Sequence, residues 1–275
     1  MDVYIVNAFT KNNRGGNAAG VCIPKKNLSK DEMIYIAKEM NLSEVAFVNK
    51  SEKADFRISF FTPNKQIDLC GHATIATFSK LFSLNIIDSG EYLQETNAGL
   101  LRVKVNKDGR VLMEQNKLIV EEVISKDQIL SSLGLKKEDV LEIFIGSTGV
   151  KDIFINLREE NLLKNLKVDF KQTEQISKKN GVTGYHVFTT NIKEADALAR
   201  NFAPLYGIDE ESATGTANAV LGSYLVSKGL KEKNEKIIIF QGMYMNQTSE
   251  ICVEVDDKNI PWVGGFAQSL DKRIF

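Results

Sequence analysis

Short apolar runs, broken by polar residues every few positions, recur in both halves of the chain. VYIVNAF (3–9), EVAFV (44–48) and FRISFF (56–61) in the first half have the length and the β-branched and aromatic content of strands. So do KDIFINL (151–157) and GYHVFTT (184–190) in the second. Their alternation predicts antiparallel pairing over a parallel sheet. Two segments depart from this pattern. ATIATFSKLF (73–82) and TANAVLGSYLVSKG (216–229) are apolar or small on nearly every side, which predicts helices buried all round. SKDEMIYIAKEM (29–40) and SKDQILSSLG (125–134) open with Ser and early acids and predict peripheral helices. LREENLLKNLKVDFKQTEQISKKNG (157–181) is polar and predicts helix in pieces.

The pattern repeats. Phe61-Thr62-Pro63, Ile67-Asp68 and Gly71-His72-Ala73 lead into the first buried helix. Phe202-Ala203-Pro204, Ile208-Asp209 and Gly215-Thr216-Ala217 lead into the second, in the same order. After the helices come AGLLRVKV (98–105) and QGMYMNQTSEICVEV (241–255), both expected to carry strand. The expectation is an α+β protein of two similar halves, residues 1–117 and 118–275, with the C-terminal tail free to pack back on the first half. Each half would be a curved, mostly antiparallel sheet wrapped around one buried helix. A cleft between the halves is where a small-molecule site is expected.

Composition narrows the function classes. The chain has 275 residues, is 43% hydrophobic and carries 35 Lys and Arg against 36 Asp and Glu. A formal net charge of -1 gives no general attraction for nucleic acid or anionic lipid. No apolar run approaches the roughly 18 residues of a membrane helix, and no charged-then-apolar leader opens the chain. Cys22, Cys70 and Cys252 are odd in number and far apart, so a cytoplasmic location is expected. With His72 and His186 the only histidines and no CxxC, no structural metal is expected. RGGNAAG lacks the GxGxxG spacing and no GxxxxGK[ST] occurs, so no nucleotide cofactor is expected.

The candidate chemistry gathers where the two buried helices begin. DLCGHATIA (68–76) holds an acid, a thiol and a histidine. The first N–H groups of a helix lack internal partners and attract anions. A substrate carboxylate could rest on residues 71–73 and 214–216. The dipole there disfavours imidazolium, so His72 is expected to be neutral. Asp68, just before the helix, is expected to cap local N–H groups in preference to orienting His72. Cys70 reads most commonly as a small buried hydrophobe at a helix start, with a thiol base as the less favoured alternative. Asn17 reads as a loop residue bonding its own backbone or as a substrate contact.

FTKNNRGGNAAGV, EMNLSEVAFV, FFTPNKQIDLCGHATIA, FAPLYGIDEESATGTANAVL and WVGG together resemble the phenazine-biosynthesis PhzF family nearly end to end. The resemblance implies a diaminopimelate epimerase-like fold, a homodimer, and a cofactor-free isomerase in which a carboxylate shuttles a proton between carbons of a dihydro-hydroxyanthranilate. It places Glu44 as the proton-shuttling glutamate, with His72 and Glu211 as its catalytic companions. Gly16, Asn17, Asp68, Cys70, Gly71, Ala73, Thr214, Gly215 and Thr216 would line the substrate, a small carboxylate. Glu211 stands where the family usually has Asp, Ser212 where it has Pro, and Thr216 where it has Ser. Asn246-Gln247-Thr248 replaces the frequent Gly-Arg-Pro, and RGGNAAG the usual GNP. Two other readings remain: a racemase or epimerase that uses Cys70, and a non-catalytic small-ligand binder.

Overall fold

A computed structural model describes residues 1–275, which form two compact units. The first comprises Met1–Glu114 and Gly264–Phe275, the second Gln115–Val263. The division falls after Glu114 rather than after residue 117, and the tail from Gly264 onward belongs to the first unit.

The first unit holds β1 (Asp2–Thr10), β2 (Asn17–Cys22), β3 (Val45–Asn49), β4 (Phe56–Phe61), β5 (Gln66–Ile67), β6 (Gly90–Thr96), β7 (Gly99–Val105) and β8 (Val111–Glu114). β1 is antiparallel to β2, β3 to β4, β4 to β5, and β6 to β7, which is antiparallel to β8. β2–β3 and β4–β6 are parallel. The final strand of the chain, β17 (Pro261–Ile274), pairs antiparallel with β1 and also pairs with β8. Gly264 lies so close to β8 that a Cβ there would stand 1.8 Å from the Val111 carbonyl oxygen. The sheet therefore closes on itself.

Helix α2 (Gly71–Ser83) packs against β1, β2, β3, β7 and β8. It buries Ala73, Thr74, Ile75, Ala76, Thr77, Phe78 and Leu81. Its two buried threonines donate to the Cys70 and Ala73 carbonyls and so bury no unpaired hydroxyl. Helix α1 (Lys30–Met40) lies outside the sheet. A capping box between Ser29 and Glu32 starts it, and Asn41, in the left-handed region at φ 52, ends it. It buries Ile36, Ala37 and Met40 in a cluster with Val3, Val45, Phe47 and Phe61.

The second unit repeats the plan with β9 (Ile119–Glu121), β10 (Val140–Ser147), β11 (Lys151–Leu157), β12 (Tyr185–Thr189), β13 (Ala197–Ala203), β14 (Ile208–Glu211), β15 (Ile237–Gln241) and β16 (Ser249–Val255). β9–β10, β10–β11, β12–β13, β13–β14 and β15–β16 are antiparallel; β11–β12 and β13–β15 are parallel. From β10 onward this is the order of senses seen from β1. Helices α3 (Lys126–Leu133), α4 (Glu160–Lys164) and α5 (Phe170–Asn180) precede α6 (Gly215–Ser227). α6 packs on β10 and β16, with Ala217 through Leu225 all buried.

The sheets are mostly antiparallel, as expected, with a minority of parallel pairs, and one strand differs from the sequence reading. Each unit contains two parallel pairs, because α1 and α2 in one, and α4 with α5 and then α6 in the other, lie in crossovers that return the chain in the same direction. In the 241–255 stretch, Gln241 ends β15 and strand resumes only at Ser249. Gly242 at φ +76 turns the chain into a single 3-10 turn, Met243–Met245, closed by Asn246 at φ 56. No helix is long and apolar enough to cross a membrane.

Candidate active site

In the first unit, Glu44 sits immediately before β3, held there because its carbonyl accepts from Gly20 N–H at 2.9 Å. His72 is the second residue of α2, and Cys70 is its N-cap. The pairing of β2 with β3, and the packing of α2 on both, bring the three together. His72 Nε2 lies 3.2 Å from Glu44 Oε2, with the two side chains only 11% and 18% exposed. Cys70 Sγ lies 3.4 Å from His72 Nδ1 and 3.9 Å from Nε2. The two ring nitrogens flank a single carbon, so a sulfur on the lone-pair axis of one would be much farther from the other. The thiol thus lies off both axes and interacts with the ring by charge and polarisability.

The electrostatics reverse one expectation. Burial disfavours the imidazolium, yet Cys70 and then Glu44 raise His72 well above the usual 6.5. Burial also raises the Glu44 carboxyl, but His72, with help from Ser43, brings it below its ordinary value. His72 is therefore an imidazolium paired with a carboxylate, not a neutral ring. A full opposite charge at 3.2 Å outweighs the half-charge of a helix terminus.

In the second unit, Glu211 ends β14, and its Oε2 accepts from the Thr214 hydroxyl at 2.5 Å. Gln241, fully buried at the end of β15, clamps this turn. Its Nε2 donates to the Glu211 carbonyl and to Thr214 Oγ1 at 2.7 and 3.0 Å. Its Oε1 accepts from Thr214 N–H and Asn218 Nδ2 at 3.2 and 2.7 Å. Deeper, Asn201 Nδ2 stands 3.1 Å from His186 Nδ1. Burial lowers His186 to about 3, so this ring is neutral. Asp152, buried in β11, is pushed up to about 7 by burial, against a hydrogen bond from Gly184 N–H and with a further push from Glu211. The neighbouring Glu210 is committed to Arg200, with contacts of 2.9 and 2.7 Å.

The other expected site residues fall in place as follows. Gly71 and Ala73 form the first turn of α2; Gly215 and Thr216 begin α6, whose N-cap is Thr214. By this match Thr214 stands where Cys70 stands in the first unit. Gly16, at φ +85, lies just before Asn17 opens β2, and a Cβ on it would meet the Ala8 carbonyl oxygen at 2.4 Å. Asp68 does not cap α2: it is exposed two residues before the N-cap, and the helix has no side-chain cap. Gln241, Asn218 and Asp152 were not foreseen. Their signal is a polar residue set among apolar ones in IIIFQ, TANAVL and KDIFINL. A groove of about 940 Å³ in the first unit is lined by Met1, Tyr4, Pro24, Tyr35 and Phe275 among others, and by none of the expected site residues.

Residues 6–264 match the family model described as phenazine biosynthesis-like protein, PhzC-PhzF. The chain belongs to this family. An uncharacterised isomerase of Clostridium acetobutylicum is 36% identical, with 94% of this chain and 92% of the relative covered. A Bacillus anthracis PhzF-family crystal structure superposes with a TM-score of 0.87 at 26% identity, covering 99% and 98% of the two chains. The fold likeness extends to a hydroxyproline epimerase from Agrobacterium vitis, with a TM-score of 0.61 at 13% identity, over 99% and 91% of the chains. The PhzF-family chain is thus an isomerase on an epimerase-like fold.

Proposed function

We propose that this PhzF-family isomerase moves a proton between carbons of a small carboxylate-bearing metabolite, with Glu44 as the acid–base group and no cofactor. The observation that carries this reading is the half-buried Glu44–His72 pair at the N-terminus of α2. At rest Glu44 is ionised and ready to accept a proton. When it takes one from carbon, it becomes a neutral acid and negative charge develops on the substrate. The His72 imidazolium and the free N–H groups at Gly71–Ala73 are placed to stabilise that charge. Glu44 then returns the proton to a second carbon. Glu211, Thr214, Gly215 and Thr216 would position the substrate, the turn they form being held by Gln241. Cys70 serves less well as the base, since its sulfur lies off both lone-pair axes of His72.

The test is proton exchange. The protein is incubated in heavy water with a panel of small cyclic and acyclic carboxylic acids, including dihydro-hydroxyanthranilate, and mass spectrometry reads both deuterium uptake and product. Exchange or conversion that vanishes in Glu44→Gln and persists in Cys70→Ala is expected. Full turnover in Glu44→Gln would sink the mechanism, and loss confined to Cys70→Ala would transfer the base role to the thiol.

A further inference from the structure

Cys70 Sγ, a ring nitrogen of His72 and a carboxylate oxygen of Glu44 converge so that the three donor atoms lie within 4.8 Å of one another. A thiolate, an imidazole and a carboxylate are the donor types that select zinc and related thiophilic ions. Such an ion has bonds of about 2.0–2.3 Å, so donors arranged tetrahedrally around it stand roughly 3.3–3.6 Å apart. Here Oε2 is 3.2 Å and Sγ 3.9 Å from Nε2. Two edges of the tetrahedron are therefore nearly formed. A rotation of Cys70 about its Cα–Cβ bond, taking the sulfur off the ring, adjusts the third.

A second observation points the same way. Glu44 Oε2 is buried and makes no hydrogen bond of good geometry, although its charge is paired with His72. A buried carboxylate oxygen in this state has acceptor capacity that no protein donor fills with good geometry. Three protein ligands and one open position is the coordination of a site that exchanges its fourth ligand.

We propose that Glu44, Cys70 and His72 form an inhibitory binding site for Zn²⁺ or a similarly thiophilic divalent cation. On binding, the thiol and imidazolium protons leave to solvent, and the ion occupies Nε2 and Oε2. These are the atoms assigned above to charge stabilisation and proton transfer, so the ion-loaded protein is inactive and the ion-free protein is the working enzyme. The site itself stands on the three donors and not on the identity of the substrate.

Co²⁺ titrated into the full-length, metal-stripped protein is the direct test, since a thiolate ligand gives a charge-transfer absorption and tetrahedral geometry gives intense visible bands. One equivalent is expected to saturate both signals, and Zn²⁺ is expected to displace the cobalt. Cys70→Ala should abolish the charge-transfer band, and Glu44→Gln and His72→Gln should each weaken Zn²⁺ binding at least tenfold against a chelating dye. Cys22→Ala should change nothing, because Cys22 is buried and its thiol is pushed up to about 12 by that burial. Zn²⁺ should also protect Cys70 from alkylation. Melting curves of each variant, with Cys70→Ser as a second substitution, separate lost ligation from lost folding. Absence of saturable binding, or binding that survives both Cys70→Ala and His72→Gln, overturns the proposal. None of these readouts involves substrate, so the metal site and the acid–base mechanism can fail independently.

Discussion

Replacing Glu44 by Gln should lower the pKa of His72, and this can be read on a single signal. The chain has two histidines, and the other, His186, is buried and held neutral with a pKa of about 3. Only His72 should therefore titrate above pH 5. The Glu44 charge at 3.2 Å is worth about 5 kcal/mol at an effective dielectric constant near 20, before burial is set against it. Opposite charges at this range move a pKa by about 1–3 units. Cys70 remains beside the ring in the variant and contributes more of the elevation than Glu44 does. The expected drop is thus only part of the elevation, with the Cys70 contribution left in place.

The pair also gives stability a pH window. His72 is raised in the folded state, so its contribution is complete below the ordinary 6.5 and is lost as pH rises through the folded value. Glu44 is lowered, so its contribution is present above the ordinary 4.5 and is lost as pH falls through the folded value. Wild type and Glu44→Gln should accordingly differ most in urea unfolding between pH 4.5 and 6.5. The assay is proton–carbon correlation NMR of the imidazole from pH 5 to 9, in wild type, Glu44→Gln and Cys70→Ala. A wild-type His72 titrating at 6.5 or below, or a midpoint identical in wild type and both variants, would refute the electrostatic reasoning.

Other outcomes follow from particular contacts. Asp152 has its folded pKa raised from 3.8 to about 7, so wild-type stability should fall as pH rises between those values. Asp152→Asn, which keeps an acceptor for Gly184 N–H, should therefore be a few kcal/mol more stable than wild type at pH 8 and nearly equal at pH 4 in urea titrations. Gln241→Leu removes four hydrogen bonds at a fully buried position and should cost about 2–4 kcal/mol. If Gln241 also holds the site turn, residual turnover on a substrate found by exchange should fall further than the melting temperature explains. Gly184→Ala would set a Cβ 1.9 Å from the Phe202 carbonyl oxygen, where neither backbone can yield, so little folded protein should be recovered. Ser29→Ala removes the N-cap of an exposed helix, and thermal melting should show a loss of about 1 kcal/mol.

Much of the fold was legible in the residues because its determinants are local. The two all-round apolar segments could only be buried helices, and they are α2 and α6. Ser29 with Glu32 announced a capping box, which formed. The order of Pro, Asp and Gly before each helix displayed the duplication, and the strand pairings repeat it. Parallel pairing was hidden, because strand direction depends on where a crossover returns the chain, and a short apolar run looks the same in either sense.

The candidate site divides along the same line. The residue types at 44, 70 and 72 were visible in sequence, as was their association with a helix start. Their protonation was not. The local rule, a helix dipole acting on His72, predicts a neutral ring. In the folded chain Cys70 against the ring, and after it a carboxylate from a segment 28 positions earlier against Nε2, raise the pKa of His72 well above its ordinary value. Asp68 failed as a cap for a related reason: Cys70 takes the N-cap position and leaves Asp68 exposed outside the helix. Gln241 was silent because a lone Gln in an apolar strand gains meaning only when β15 brings it beneath the turn that starts α6. Periodicity and capping act over a few residues and can be read along the chain. Charge state and hydrogen-bond partners depend on atoms brought within a few ångströms by the tertiary fold, and distance along the chain does not record that.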